Sequence, residues 1–187
     1  MIKLILSHLV LFFGLMFFAG TASSDQNDDR LDHLFIELAK ADQSLPDYKK
    51  FENEIWMIWG QASEDSIQNL MDLGYQSLQI GLFDAALTHY TRVTELAPDF
   101  AEGWNKQATV LYLMDRYSDS LLAVNHTLKL EPRHFGALSG LGLIYEIYGE
   151  ENGAKAAYKK ALSYNPHLER IQTRLEYLQS LSGDAEI

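Results

Sequence analysis

Cysteine is absent from the 187 residues, which excludes a disulfide framework, a thiolate metal site and lipidation on cysteine. Positive charge is short as well: 15 Lys and Arg face 26 Asp and Glu, for a net charge of −11. Nucleic acid and anionic lipid surfaces both need a basic footprint, so this balance argues against either as a partner. Long apolar runs are missing apart from one, residues 4–18. Lys3 precedes that run, and the small residues Gly20 and Ala22 follow it. A charged start, an apolar core and a small-residue exit predict a secretory signal peptide over residues 1–22, and with it a periplasmic location. The alternative is an uncleaved inner-membrane anchor. Residues 4–22 fall near the lower end of the roughly 17–25 residues that span a bilayer, and membrane contact is expected in that case alone.

Proline is scarce too, four residues in all, yet three of them keep step. Pro98, Pro132 and Pro166 lie 34 residues apart, as do Gly74, Ala108 and Gly142, and again Ala86, Ser120 and Ala154. A fixed period of this length marks a solenoid of helix pairs, each burying its apolar face against its neighbours. The expected fold is therefore all-α, with repeats over 67–100, 101–134 and 135–166. Each would hold a first helix of about 14 residues, a turn, and a second helix that proline ends. Gly81 and Gly149 suit the left-handed closure of a first helix. A glycine in mid-helix costs about 1 kcal/mol against alanine. The recurrence of Gly74 and Gly142 with Ala108 therefore predicts a close helix crossing at that phase.

The flanks are read in the same way. Residues 23–30 are polar and acidic and are expected to form a flexible lead. Residues 31–62 carry two helical patterns parted by Pro46, and counting back by 34 makes them a degenerate, capping repeat. Residues 167–182 carry Leu168, Ile171, Leu175, Leu178 and Leu181 on one stripe, as a capping helix would.

This pattern resembles the tetratricopeptide repeat (TPR) family, whose helix-turn-helix unit has the same length. The family's order of large, small and aromatic positions is nearly complete in the third repeat, at Leu138, Leu141, Gly142, Tyr145, Ala154, Tyr158, Ala161 and Pro166. The first repeat supplies Leu70, Leu73, Gly74, Ala86, Tyr90 and Pro98, with Ser77 where tyrosine is usual. The second supplies Trp104, Ala108, Leu111, Ser120, Val124 and Pro132, with Gln107 where leucine is usual. The whole chain is similar to exported single-domain TPR proteins of alphaproteobacteria.

The resemblance implies a concave groove, lined by the first helices, that binds an extended or helical peptide. At its phases stand Met71, Tyr75 and Leu78, then Asn105, Thr109 and Tyr112, then Ser139, Leu143 and Glu146. One branch of the family clamps a terminal carboxylate with Lys, Arg and Asn. Met71, Tyr75, Ser139 and Leu143 stand at such phases here and argue against that. The lining suits an apolar or amphipathic segment, with Asn105 able to hold a peptide backbone. The same residues could instead pack against the 31–62 helix pair, whose Trp56 and Trp59 need cover.

Catalysis needs a nucleophile with a base, a metal cluster or a phosphate cradle. Of His33, His89, His126, His134 and His167, no two share the three- or four-residue helical spacing that aims imidazoles at one metal. The sequence thus assigns no catalytic residue, cofactor, metal or small-molecule substrate. The expected function is a non-enzymatic scaffold or assembly factor of the bacterial envelope with a protein or peptide partner. A membrane-tethered structural subunit is the alternative, and an enzyme the third reading.

Overall fold

The computed structural model describes residues 25–42 and 47–183. The signal peptide or anchor read over residues 1–22 and the role read for Pro46 lie outside them. Among the described residues a 3₁₀ turn, Asp25–Asn27, precedes nine α-helices, and there is no strand. These are α1 (Arg30–Lys40), α2 (Tyr48–Gly60), α3 (Asp65–Gln79), α4 (Phe83–Leu96), α5 (Ala101–Leu113), α6 (Tyr117–Leu130), α7 (Phe135–Ile147), α8 (Glu151–Tyr164) and α9 (Glu169–Ser182). The fold is the all-α solenoid that the proline interval predicts.

Three hairpins, α3/α4, α5/α6 and α7/α8, form its body, and each closes by a left-handed residue. Gly81 has φ 75° and Gly149 φ 72°, while Asp115 takes φ 58° in the second hairpin. Aspartate is one of the few residues that tolerate this region, and here the Tyr117 hydroxyl donates to its carboxylate. The close crossing is also present, and its cause is a tyrosine. A Cβ on Gly74 would lie 2.6 Å from the Tyr90 ring, and one on Gly142 would lie 2.2 Å from the Tyr158 ring. The second hairpin has the smaller Val124 at the tyrosine phase, and there Ala108 fits in the same core.

The N-terminal helices do not form the degenerate repeat expected before α3. Their core joins Leu31, Leu34, Phe35 and Leu38 of α1 to Ile55, Ile58 and Trp59 of α2, and it closes on Phe135, the first residue of α7. No residue of α3 or α4 takes part in this cluster. The reason is visible at the repeat phases. Lys40 stands where a glycine or alanine must admit the partner helix, Trp56 stands at the tyrosine phase, and Glu64 stands where proline recurs. The pair therefore folds back along the solenoid edge formed by the loops after α4, α6 and α8.

Polar side chains fix it there at regular intervals. Gln26 Nε2 donates to the Asp99 carbonyl at 2.7 Å, and its Oε1 accepts from the Ala101 N–H at 3.2 Å. Arg133 Nη1 donates to Asp32 at 2.6 Å. His167 Nε2 donates to the Leu38 carbonyl at 2.8 Å, and Asn165 Nδ2 donates to Glu52 at 3.1 Å. Asp99, Arg133 and His167 are themselves 34 residues apart. From Asp25 onward the acidic lead is thus ordered rather than flexible, because the Gln26 amide satisfies two backbone groups of the first loop. At the other end, α9 seals the last hairpin with Ile171 and Leu178 against Ala154 and Tyr158. Leu181 leaves the expected stripe and is exposed.

Candidate functional site

The nine groove residues do not line one continuous trough. Asn105, Thr109, Tyr112, Ser139 and Leu143 come together around a cavity of about 220 Å³ between α5 and α7. Ala108, Val124 and Ile144 supply much of its apolar wall, and Gly140 leaves it room. Met71 and Tyr75 line a second hollow of about 280 Å³, whose far wall is Trp56 of α2. Leu78 packs against the core of the first hairpin. Glu146 lines neither space. It receives two bonds from Arg174 of α9, at 2.8 and 2.7 Å, and one from the Tyr158 hydroxyl.

What the polar groups of the first cavity offer follows from where their protons go. Thr109 donates its hydroxyl proton to the Asn105 carbonyl, and Ser139 donates its own to the Phe135 carbonyl. Asn105 spends an amide proton on Glu102. Thr109 and Ser139 keep acceptor lone pairs, while Asn105 keeps its amide oxygen and a second N–H and Tyr112 adds a hydroxyl, so the cavity offers apolar walls, several acceptors and few donors to whatever enters.

A buried ionic cluster stands between the two spaces. Glu102 Oε2 accepts from Asn105 at 2.9 Å and from His134 Nε2 at 2.8 Å, while Lys106 reaches Oε1 at 2.9 Å. His134 Nδ1 accepts the Ala137 N–H at the start of α7, which places the ring proton on Nε2, facing Glu102. Burial pushes the Glu102 carboxyl up, but the Lys106 charge and the His134 bond outweigh it and bring it down to about 2. Both carboxylate oxygens are engaged, and through His134 at the start of α7 Glu102 ties α5 to α7. Sequence reasoning set His134 aside with the other histidines. Its signal was its phase, since Phe100 and Leu168 stand 34 residues to either side and a lone histidine among apolar residues needs a built partner.

The N-terminal pair covers this cluster. The Trp59 ring stacks on His134 at 4.2 Å, and Trp56 lies edge-on to it at 5.4 Å. Lys106 Nζ sits 5.8 Å from the Trp56 ring. Packing of the groove against the helix pair is therefore found where α5 and α7 begin, while the cavity toward their ends stays open. Lys106, which lines the second hollow, is paired with Glu102, and Arg174 of α9 is paired with Glu146. Neither is left to clamp a carboxylate. Among the described residues no group of His, Asp and Glu is placed to hold a metal ion.

Helix pairs at a 34-residue step, with a glycine–tyrosine crossing in each outer pair, define a helical-repeat protein of the solenoid class. The comparisons with known proteins name the branch. The tetratricopeptide repeat profile matches residues 136–168. A TPR repeat-containing protein of Rhizobium etli is 31% identical over 163 residues, covering 87% of this chain and 79% of that protein. The chain belongs to the tetratricopeptide repeat family. The Hsp70-Hsp90 organizing protein of Triticum aestivum is 29% identical over 102 residues, 54% of this chain and 18% of that protein's length. Among solved structures, MamA superposes with a TM-score of 0.59 at 24% identity, covering 63% of this chain and 68% of that one. The first TPR of Spaghetti (RPAP3), solved with an HSP90 peptide, gives 0.60 at 19% identity, covering 62% and 93%. These structures share the fold.

Proposed function

We propose that this protein is a non-enzymatic interaction module, exported to the bacterial periplasm, that holds an apolar or amphipathic segment of a partner protein against α5 and α7. The observation that carries the reading is the open cavity of about 220 Å³. A dry hole of about 150 Å³ suffices to bind benzene, so this one has room for a large aliphatic or aromatic side chain. The Asn105, Thr109 and Ser139 oxygens suit the N–H groups of a peptide backbone beside that anchor. TPR domains are protein-interaction modules, and one structural neighbour is solved with a bound peptide. The export half of the proposal rests on the sequence of residues 1–22.

Capture from envelope extract tests it. Leu143→Glu places a charge in the cavity wall, and Tyr112→Ala removes part of its side. Both are expected to abolish capture of the partner while the circular dichroism spectrum keeps its helical form. Undiminished capture by both variants contradicts the reading. Mass spectrometry of the exported chain is expected to find it beginning at Ser23, whereas an intact residue 1–22 segment in the membrane fraction supports the tethered subunit instead.

A further inference from the structure

The second hollow has a chemistry of its own, and a comparison inside the molecule shows what would complete it. Tyr90 and Tyr158 occupy the same repeat phase and press on equivalent glycines, Gly74 and Gly142. The Tyr158 hydroxyl is partnered: it donates to Glu146 and accepts the Arg174 Nε–H at 3.2 Å, while the same guanidinium bonds Glu146. The Tyr90 hydroxyl is fully buried and has no partner among the described residues. Leu78 stands at the phase of Glu146, and Lys106, at the phase of Arg174, has turned to Glu102.

A buried hydroxyl without a partner forfeits the bonds it makes with water in the unfolded chain, and the surroundings of Tyr90 indicate what it waits for. Tyr90 lines the hollow with Asp72, Tyr75 and Trp56. Asp72 is exposed, accepts one bond from Gln68 at 3.0 Å, and meets no cation among the described residues. Burial, then the Glu102 charge, then Tyr75 and Asp72 push the Tyr90 hydroxyl up to about 12, so it stays protonated with lone pairs to offer. Lys106 and Glu102 neutralise each other, which leaves the hollow with one net negative charge between two aromatic rings. An anion meets only Lys106, whose charge Glu102 already balances, whereas a cation has the Asp72 carboxylate, a hydroxyl acceptor, the Tyr75 ring and the part of Trp56 that does not face Lys106.

We propose that this hollow receives the guanidinium of an arginine on the partner segment, paired by Asp72, flanked by Trp56 and Tyr75, and bonded to the Tyr90 hydroxyl as Arg174 is to that of Tyr158. The inference rests on the groove being a peptide site and adds the chemistry of the peptide: a cation beside the apolar anchor, suited to a chain of net charge −11. It also gives the N-terminal helix pair a part in recognition, since Trp56 supplies a wall.

Titration of the folded protein with acetyl-Leu-Arg-amide, followed by ¹H–¹⁵N chemical shifts, tests it. Saturable shifts are expected at the Trp56 indole and at Asp72 and Tyr75. Binding should weaken at least tenfold for the isosteric citrulline peptide and fall with added salt. Asp72→Asn should reproduce the tenfold loss. Tyr90→Phe should weaken binding while leaving thermal stability equal or higher, which a merely structural hydroxyl would not do. Equal binding of the arginine and citrulline peptides overturns the inference. So does a shift pattern confined to Tyr112 and Leu143, although that outcome leaves the apolar groove standing. Absence of saturable shifts at either place removes both.

Discussion

The loops after α4, α6 and α8 and the turns after α3, α5 and α7 lie at opposite ends of the same hairpins, and they are treated in opposite ways. The first edge carries the N-terminal helix pair, with Trp59, Leu31 and Ile55 buried and a polar anchor on every loop. Among the described residues nothing covers the second edge: Ile80 is 72% exposed, Leu82 55% and Tyr148 47%. Both edges offer apolar side chains, so hydrophobicity alone does not choose between them. What differs is the supply of unpaired backbone groups and polar side chains at a shared phase. The turns satisfy their own backbone through left-handed residues, whereas the first loop leaves a carbonyl and an amide for Gln26 to meet and the later two project Arg133 and His167 toward Asp32 and the Leu38 carbonyl. Periodic hydrogen-bonding groups therefore make one edge a docking rail.

Three substitutions probe that contrast, from the largest expected effect to the smallest. Trp59→Ala on the sealed edge removes a fully buried ring that stacks on His134, and a loss of about 3–5 kcal/mol in urea unfolding is expected. Glu102→Gln weakens the cluster beneath that ring and should cost about 1–3 kcal/mol near neutral pH. Its pH signature is the sharper readout. The carboxyl is held at about 2 in the fold against an ordinary 4.5, so its contribution is complete above about 4.5 and fades as pH falls toward 2. The parent protein should lose stability across that window, and the Gln variant should lose correspondingly less. Ile80→Ser on the bare edge should shift stability by less than about 0.5 kcal/mol. If Ile80→Ser cost as much as Trp59→Ala, the contrast would fail.

The repeats were legible because their constraints are local and recur. Proline ends each second helix, Gly81 and Gly149 close first helices, and a missing Cβ at Gly74 or Gly142 answers a ring sixteen residues later. Asp115 was not legible as a left-handed closer, because the bond from Tyr117 that accompanies it has no composition signature. Placement of the N-terminal pair failed for a related reason. Counting back by 34 located two helices but assumed that they stack like a repeat, and contacts such as Gln26 with Asp99 leave no periodic trace. The groove was read as one trough for the same cause, since its division depends on Trp56 arriving from α2. Of its nine residues, Leu78 packs half-buried against the first hairpin's core, and Glu146 is engaged by Arg174.

The claim that matters most for function is that the partner enters between α5 and α7 and not along the bare turns. Photo-crosslinking in the envelope tests it, with benzoylphenylalanine placed at Tyr112 in one strain and at Ile80 in another. The expected result is a discrete crosslinked partner from position 112 that disappears with Leu143→Glu, and no such product from position 80. Equal products from both positions, or a position-112 product indifferent to Leu143→Glu, would contradict it.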